Sequence, residues 1–323
     1  MNFEQGTDDG FLEDKRVLIT GGLGFIGSHL VKRLLGHGAK ISVLDLNQNQ
    51  WRVKDEIKYI DVYNIDITDS LRVDRCIRDI RPQYVFHLAA YGVDSAQKLY
   101  LQAANVNILG TINLLNSLKE TGCEKIICTS TCSEYGNRDG KLCEDMCPDP
   151  VNIYGSTKAC STIIAHQIAR ENNINIVTLR LFGIFGEGEE RHKFFCDLIL
   201  SLLEGKDVKL TLCEQCRDYC YVENIVDGLI MAVRNNSIKN DIFNIGSGIS
   251  RPLKYYVDMI FKYVETDRKP DYGALEYRKN EMWNPQPDIT KIKSVLSWVP
   301  RIALEEGIKR TVEWFKQNKA YYL

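Results

Sequence analysis

Residues 16–27, Arg16-Val17-Leu18-Ile19-Thr20-Gly21-Gly22-Leu23-Gly24-Phe25-Ile26-Gly27, carry the reading on which the fold depends. Arg16 to Thr20 is a short apolar run of strand type, and the amphipathic stretch from Ile26 to Leu35 has helical spacing. Between them Gly21, Gly24 and Gly27 stand at G-x2-G-x2-G. Glycine permits a tight turn, lets the backbone approach a pyrophosphate and lets the helix pack closely on the strand. The first N–H groups of the helix then offer partial positive charge to an anion. A glycine triplet alone is weak evidence. The strand before it and the helix after it make it a dinucleotide-phosphate turn, with Phe25 and Ile26 expected to line the same ligand.

Working outward, a second strand, Lys40-Ile41-Ser42-Val43-Leu44-Asp45, ends in an acid on the order of 20 residues beyond the turn. A carboxylate there accepts hydrogen bonds from the adenosine ribose and repels a 2′-phosphate, so NAD is expected rather than NADP. Asp66, in Asn64-Ile65-Asp66-Ile67, is read as ending a third strand-like region that includes Lys58 to Val62. Its carboxylate is placed to accept from the adenine amino group.

The alternation continues. Residues 70–80 read as helix, Tyr84 to Leu88 as a buried strand, and residues 96–120 as a long helix. Lys125 to Ser130 is a fifth strand, residues 155–172 a further helix, and Asn175 to Leu181 a further strand. Repeated strand–helix–strand units predict an α/β fold, a Rossmann-type doubly wound parallel sheet with ligands outside the carboxyl ends of its strands. After Gly183 the pattern loosens, which predicts a smaller mixed α/β C-terminal lobe covering the substrate. The expected division is a dinucleotide-binding domain over 1–182 and a mainly substrate-binding lobe over 183–323, with the strand near 241–246 returning to the large sheet.

Tyr154-Gly155-Ser156-Thr157-Lys158 is Y-x3-K at the start of a helix, a spacing that puts phenol and ammonium on one face. A free tyrosine, with a pKa of about 10, is a poor base at neutral pH, and an adjacent ammonium favours the phenolate. Tyr154 is thus expected to exchange a proton with a substrate hydroxyl while hydride moves to or from the nicotinamide, and Lys158 to bond the nicotinamide ribose. Thr131, at the end of the fifth strand, places a hydroxyl at the carboxyl edge of the sheet, where it polarises the reacting oxygen.

Bulk properties exclude other classes. With 41 basic and 43 acidic residues the net charge is −2, which points to neither nucleic acid nor an anionic membrane. No stretch reaches the roughly 18 consecutive apolar residues of a membrane span, and the polar, acidic first 16 residues are not a signal peptide. The eleven cysteines are therefore read as reduced thiols of a cytoplasmic protein. Cys213, Cys216 and Cys220 lack a fourth ligand nearby, so they are read as thiols filling apolar positions, with no metal expected.

Taken together, these residues resemble the extended short-chain dehydrogenase/reductases, in particular the nucleotide-sugar epimerase/dehydratase family. The resemblance covers essentially the whole chain: TGGLGFIGSHL at 20–30, HLAA at 87–90, N-x2-GT at 107–111, TSTCSEYG at 129–136, YGSTK at 154–158, RDYCYV at 217–222, FNIGSG at 243–248 and the closing PDITKIKSVLSWVP. It implies that Thr131, Tyr154 and Lys158 are the catalytic trio, with Thr131 also touching substrate. It implies that Arg217 contacts a substrate diphosphate, where a guanidinium fork suits phosphate oxygens. It implies that Ile67, Leu88, Ala89 and Ala90 line the NAD site, and that helices at 96–120 and 155–172 pack against their mates in a homodimer. His29 and His87 are treated as structural or cofactor-lining.

Departures from the family pattern narrow the reaction. The 4,6-dehydratases carry an acidic pair just after the catalytic Thr, where this chain has Cys132 and Ser133, and the decarboxylases carry a Glu at the second position. Glu134 lies one residue later, a shift that on a strand end turns the side chain to the other face. Gly183 stands where many members place an Asn on the diphosphate. Dehydration and decarboxylation are disfavoured, and reversible hydride transfer at C4 of a nucleotide-activated sugar remains. A 4-epimerase is expected first and a C4-dehydrogenase or 4-ketoreductase with net redox second. A non-catalytic dinucleotide sensor is disfavoured by the intact trio.

Overall fold

A computed structural model describes residues 10–47, 49–94, 96–277 and 281–322. The chain opens with β1 (Arg16–Thr20), α1 (Phe25–Gly36) and β2 (Lys40–Asp45). Then follow β3 (Ile60–Asn64), α2 (Ser70–Ile80) and β4 (Tyr84–His87). The third strand starts later than its composition suggests, because a 3₁₀ turn at Ile57–Tyr59 takes up the preceding residues. Its register, Ile41 opposite Ile60 and Asp45 opposite Asn64, leaves Asp66 beyond the strand rather than at its end.

The stretch read as one helix over 96–120 is α3 (Tyr100–Ala104), a π-helical turn (Asn105–Leu109) and α4 (Gly110–Leu118). A π turn inserts a residue into the i→i−4 ladder and re-phases the faces on either side of it, which hydrophobic spacing does not reveal. After it come β5 (Lys125–Thr131), the short β6 (Gly140–Leu142), α5 (Ile153–Glu171) and β7 (Ile176–Leu181). The remaining elements are β8 (Gly183–Phe185), α6 (Phe194–Leu203), β9 (Lys209–Leu210), β10 (Cys216–Arg217), β11 (Tyr219–Tyr221) and α7 (Val222–Arg234). They continue as β12 (Asp241–Ile245), β13 (Arg251–Pro252), α8 (Leu253–Val264), β14 (Asp271–Tyr272), β15 (Pro285–Pro287), α9 (Thr290–Leu296) and α10 (Leu304–Asn318).

The seven-stranded sheet has the order β12-β7-β5-β4-β1-β2-β3, with β1 parallel to both β2 and β4. Chain order runs outward from β1 to β3 on one side and from β4 to β12 on the other, so the carboxyl ends of β1 and β4 flank the switch point. Leu18, Leu44, Val85, Ile126 and Cys128 pack with Val73 and Ile77 of α2, Leu114 and Leu118 of α4, and Ala165 and Ala169 of α5. The alternating residues Val17, Ile19, Val43, Phe86 and Ile127 are equally buried. Both faces of the sheet are therefore covered, as a doubly wound sheet requires.

Contacts divide the chain into two units. Unit 1 holds residues 1–134, 150–180 and 228–243; unit 2 holds 135–149, 181–227 and 244–323. The chain leaves and re-enters each unit: residues 135–149 fall in unit 2, and residues 228–243, most of β12 among them, fall in unit 1. Within unit 1, Lys125 is buried and its Nζ donates to the Ala232 carbonyl at 3.2 Å and the Asn235 carbonyl at 2.5 Å, which caps the end of α7. Within unit 2, Phe195 stacks on Phe185 at 4.4 Å and meets Tyr219 and Tyr256 edge-on. Asn224 holds the closing segment there, accepting from the Arg301 and Ile302 amides. Among the described residues no helix is long and apolar enough to cross a membrane.

Candidate active site

The glycine turn has the close contacts that its spacing implies. A Cβ on Gly27 would lie 2.2 Å from the Gly21 carbonyl oxygen, and Gly21 has φ +73°. A Cβ on Gly21 would also lie 2.8 Å from the Ala89 amide nitrogen, so the turn after β1 and the loop after β4 are packed backbone to backbone. Gly24 is the N-cap of α1, no side chain caps that helix, and its first turn carries no acid. The uncapped N–H groups, the close backbone and the positive helix end fit a dinucleotide pyrophosphate.

Asp45 stands at the end of β2, where its Oδ2 accepts from the Leu23 amide at 2.9 Å and its Oδ1 from the Asn47 amide at 2.8 Å. The carboxylate therefore holds the glycine turn. Burial raises its pKa from the ordinary value, against those backbone bonds. Asp66 is engaged locally, its Oδ1 accepting from the Thr68 amide and hydroxyl. Ile67 buries its side chain in the core, and its carbonyl is taken by Asn113 at 3.0 Å. Leu88, Ala89 and Ala90 are half-buried, with the Leu88 amide bonded to the Thr20 carbonyl at 3.0 Å.

Thr131, Tyr154 and Lys158 come together in unit 1. Thr131 is the last residue of β5, and Tyr154 and Lys158 lie in the first two turns of α5. That helix starts at Asn152, whose side chain accepts from the Gly155 amide at 2.8 Å. A Cβ on Gly155 would lie 2.4 Å from the Ser133 carbonyl oxygen, so the segment after β5 presses on the first turn of α5. The Thr131 hydroxyl reaches the Tyr154 phenol as a hydrogen-bond partner. Burial pushes the phenol above the ordinary tyrosine pKa and Cys132 adds to this; the Thr131 hydroxyl opposes it, and Glu134 raises it further. Burial likewise lowers Lys158, with Cys128 and Glu134 opposing.

A polar chain behind the trio escapes sequence reading. His87 Nδ1 lies 2.7 Å from Thr20 Oγ1, and its Nε2 lies 3.0 Å from Thr111 Oγ1. Thr111 gives its proton to the Asn107 carbonyl, so the network assigns the His87 proton to Nε2. Burial, with the Lys158 charge, pushes this histidine down to about 3, which keeps it neutral and structural. Asn107, within the π turn, accepts from the Tyr91 amide at 2.8 Å and donates to the Tyr91 carbonyl at 2.9 Å and to Thr157 Oγ1 at 2.8 Å. It thereby ties the loop after β4 to the helix of Tyr154. In that loop Gly92, at φ +96°, leaves 3.3 Å between its absent Cβ and Tyr154 Cβ. The N-x2-GT motif contains Asn107 and Thr111, but their partners lie 16 and 50 residues away and only the fold supplies them.

Ser133, one of the two residues in the dehydratase positions, has its hydroxyl 3.3 Å from Thr131 Oγ1. Glu134 is wholly buried and accepts from Arg180 Nε at 2.8 Å. In unit 2, Arg217 lies on β10, where it pairs with Glu281 and donates to the Cys216 and Met282 carbonyls at 2.6 Å each. The next residue, Asp218, accepts from the Ser247 and Ile249 amides at 2.7 and 2.8 Å. A Cβ on Gly183 would lie 2.4 Å from the Asp218 carbonyl oxygen, so this position excludes an Asn on steric grounds. Cys213 and Cys220 are buried, and among the described residues no group of three or more His, Cys, Asp or Glu is placed to hold a metal ion.

Comparison with known proteins agrees with this geometry. Residues 17–246 match the model of the NAD dependent epimerase/dehydratase family. The UDP-glucuronate 4-epimerase of Thermodesulfobacterium geofontis is 28% identical, over 93% of this chain and 96% of its own length. UDP-glucuronic acid decarboxylase 1 of Xenopus tropicalis is 25% identical, over 94% of this chain and 73% of its own. The solved UDP-glucose 4-epimerase of Thermotoga maritima, with UDP-glucose, superposes with a TM-score of 0.87 at 29% identity, covering 94% of this chain and 99% of that one. Relatives with different outcomes lie at similar distance, so the site has to discriminate among them.

Proposed function

Since the chain belongs to the NAD-dependent epimerase/dehydratase family, we propose that it is a nucleotide-sugar 4-epimerase whose unit 1 binds NAD and carries the chemistry and whose unit 2 binds the nucleotide sugar. The observation that carries this reading is the assembly of Thr131, Tyr154 and Lys158 with no acid available beside them for elimination. Cys132 and Ser133 fill the two positions after Thr131, and the carboxylate of the next residue, Glu134, is sealed in an ion pair with Arg180. The UDP sugars named for the epimerase relatives make a uridine-linked sugar the first substrate to test.

The Gly21–Gly27 turn, Asp45, Asp66 and the 87–90 loop would hold NAD, which would supply a hydride acceptor and donor there. Tyr154 takes the proton from the sugar C4 hydroxyl, the Thr131 hydroxyl shortens the hydrogen bond to the same oxygen, and Lys158 orients the nicotinamide ribose. The oxidised sugar turns its other face before Tyr154 returns the proton. Arg217 takes the diphosphate by exchanging its present bonds to Glu281 and to the Cys216 and Met282 carbonyls for phosphate oxygens.

The same reading makes the protein a cytoplasmic homodimer. Leu101, Leu109 and Ile163 are exposed on α3, the π turn and α5, which supports pairing with a second copy. All eleven cysteines are free thiols.

The test is to incubate purified protein, with no added cofactor, with UDP-, GDP-, CDP- and dTDP-sugars and to resolve isomers by chromatography and mass spectrometry. The expected product has unchanged mass and forms over many turnovers. A product lighter by two hydrogens, formed only up to the amount of enzyme, makes the protein a dehydrogenase instead. Loss of water or of carbon dioxide overturns the reading of Cys132 and Ser133.

A further inference from the structure

Glu134 has no part in the steps above, yet it is the most completely buried acid of unit 1. Its Oε2 accepts from Arg180 Nε at 2.8 Å, and its Oε1 accepts from Thr162 Oγ1 at 2.9 Å and from Ser130 Oγ. These partners stand on three elements: Ser130 on β5 directly before Thr131, Thr162 on α5 one turn beyond Lys158, and Arg180 on β7. The Thr162 hydroxyl also lies 3.0 Å from the Lys158 carbonyl oxygen. Burying two charges costs several kcal/mol per ion, and an apolar pair of similar volume is commonly as stable or more so. Packing alone therefore gives no reason for a carboxylate here.

We propose that Glu134 is a positioning residue for the reaction: it fixes the strand end that carries Thr131 against the helix that carries Tyr154 and Lys158. The inference rests on the catalytic trio proposed above. The groups that face the pair are few. Tyr154 meets Thr131 and Cys132 from the end of β5 and its extension, together with Glu134. Lys158 meets Cys128 from β5, Glu134, and His87 from β4. His87 is neutral and burial pushes the Cys128 thiol up to about 12, so neither carries charge at neutral pH. Glu134 faces both groups; its charge opposes the effect of burial on Lys158 and adds to it on Tyr154. What serves the reaction is therefore its bridging of the two elements rather than its charge.

Glu134→Gln keeps an acceptor for Arg180 and removes the charge. Glu134→Ala removes the bridge to Ser130, Thr162 and Arg180 altogether. With the nucleotide sugar that the wild type converts, Glu134→Ala is expected to lower kcat roughly tenfold with KM unchanged within about twofold, and Glu134→Gln to recover most of that loss. Amide hydrogen exchange, which needs no substrate, is expected to be faster at the end of β5 and in the first turns of α5 in Glu134→Ala than in the wild type. Unchanged exchange in both segments overturns the inference whatever the activity does. Faster exchange there in a protein that converts no nucleotide sugar upholds the role of Glu134 and removes the epimerase reading instead. Should Glu134→Ala fail to fold, Thr162→Val cuts the link to α5 alone. The same local exchange and the same loss of kcat are expected there, and their absence overturns the proposal.

Discussion

The Ser133 carbonyl oxygen lies 2.4 Å from the place where a Cβ on Gly155 would stand. Backbone from the end of β5 and backbone from the first turn of α5 thus touch with nothing between them, and Thr131 and Tyr154 owe their meeting to that contact. Gly155→Ala adds a methyl group that backbone cannot yield to without moving Tyr154. The expected outcome is a loss of about 1–3 kcal/mol in denaturant unfolding together with a fall in kcat of at least roughly tenfold, because small misplacements of reacting groups are costly. Retained kcat in a stably folded variant would show that the contact does not position the phenol.

Gly27→Ala tests the phosphate turn. The 2.2 Å approach to the Gly21 carbonyl leaves no room for a methyl group, so the turn must open. The variant is expected to purify with little or no bound dinucleotide, measured by acid release and absorbance, while the wild type carries it. Equal cofactor content in the two proteins would sink the assignment.

Asn107→Ala removes three bonds made by a residue that is 1% exposed. The Tyr91 amide and carbonyl and the Thr157 hydroxyl are left without this partner, at a cost of about 1–3 kcal/mol for each group left unsatisfied. Thermal unfolding is expected to show a marked loss. Asn107→Asp keeps only the acceptor role and should recover the Tyr91 amide bond alone.

Asp218 gives a pH signature. Burial raises its pKa to about 6 in the folded protein, against its bonds from Ser247 and Ile249, while an unfolded aspartate titrates near 3.8. Between these values the native state binds more protons than the unfolded state, so the stability this group contributes is fully present below the unfolded value. It is lost as pH rises through about 6. Relative to Asp218→Asn, the wild type should therefore gain about 1 kcal/mol on acidification from about pH 7 to 5. Urea unfolding at the two pH values measures this, and a difference of opposite sign would refute the assignment.

Much of this protein is legible along the chain. The glycine turn, Asp45 at the end of β2 and the Tyr154–Lys158 spacing are local patterns, because a turn, a strand end and one helical turn each span few residues. Hydrophobic alternation likewise gives the strands and helices of the doubly wound sheet. Where the reading slipped, a non-local contact or a local irregularity intervened. A 3₁₀ turn delays β3 and strands Asp66 beyond it, and a π turn interrupts the helix read over 96–120.

By itself, then, the sequence determined the glycine turn, the doubly wound parallel sheet and the family to which the chain belongs. Only the tertiary structure decided which polar groups meet: Asn107 with Tyr91 and Thr157, His87 with Thr20 and Thr111, Arg217 with Glu281, and Glu134 with Arg180. A buried polar side chain takes whatever partner the packing of distant elements brings within about 3 Å, and no spacing along the chain encodes that distance.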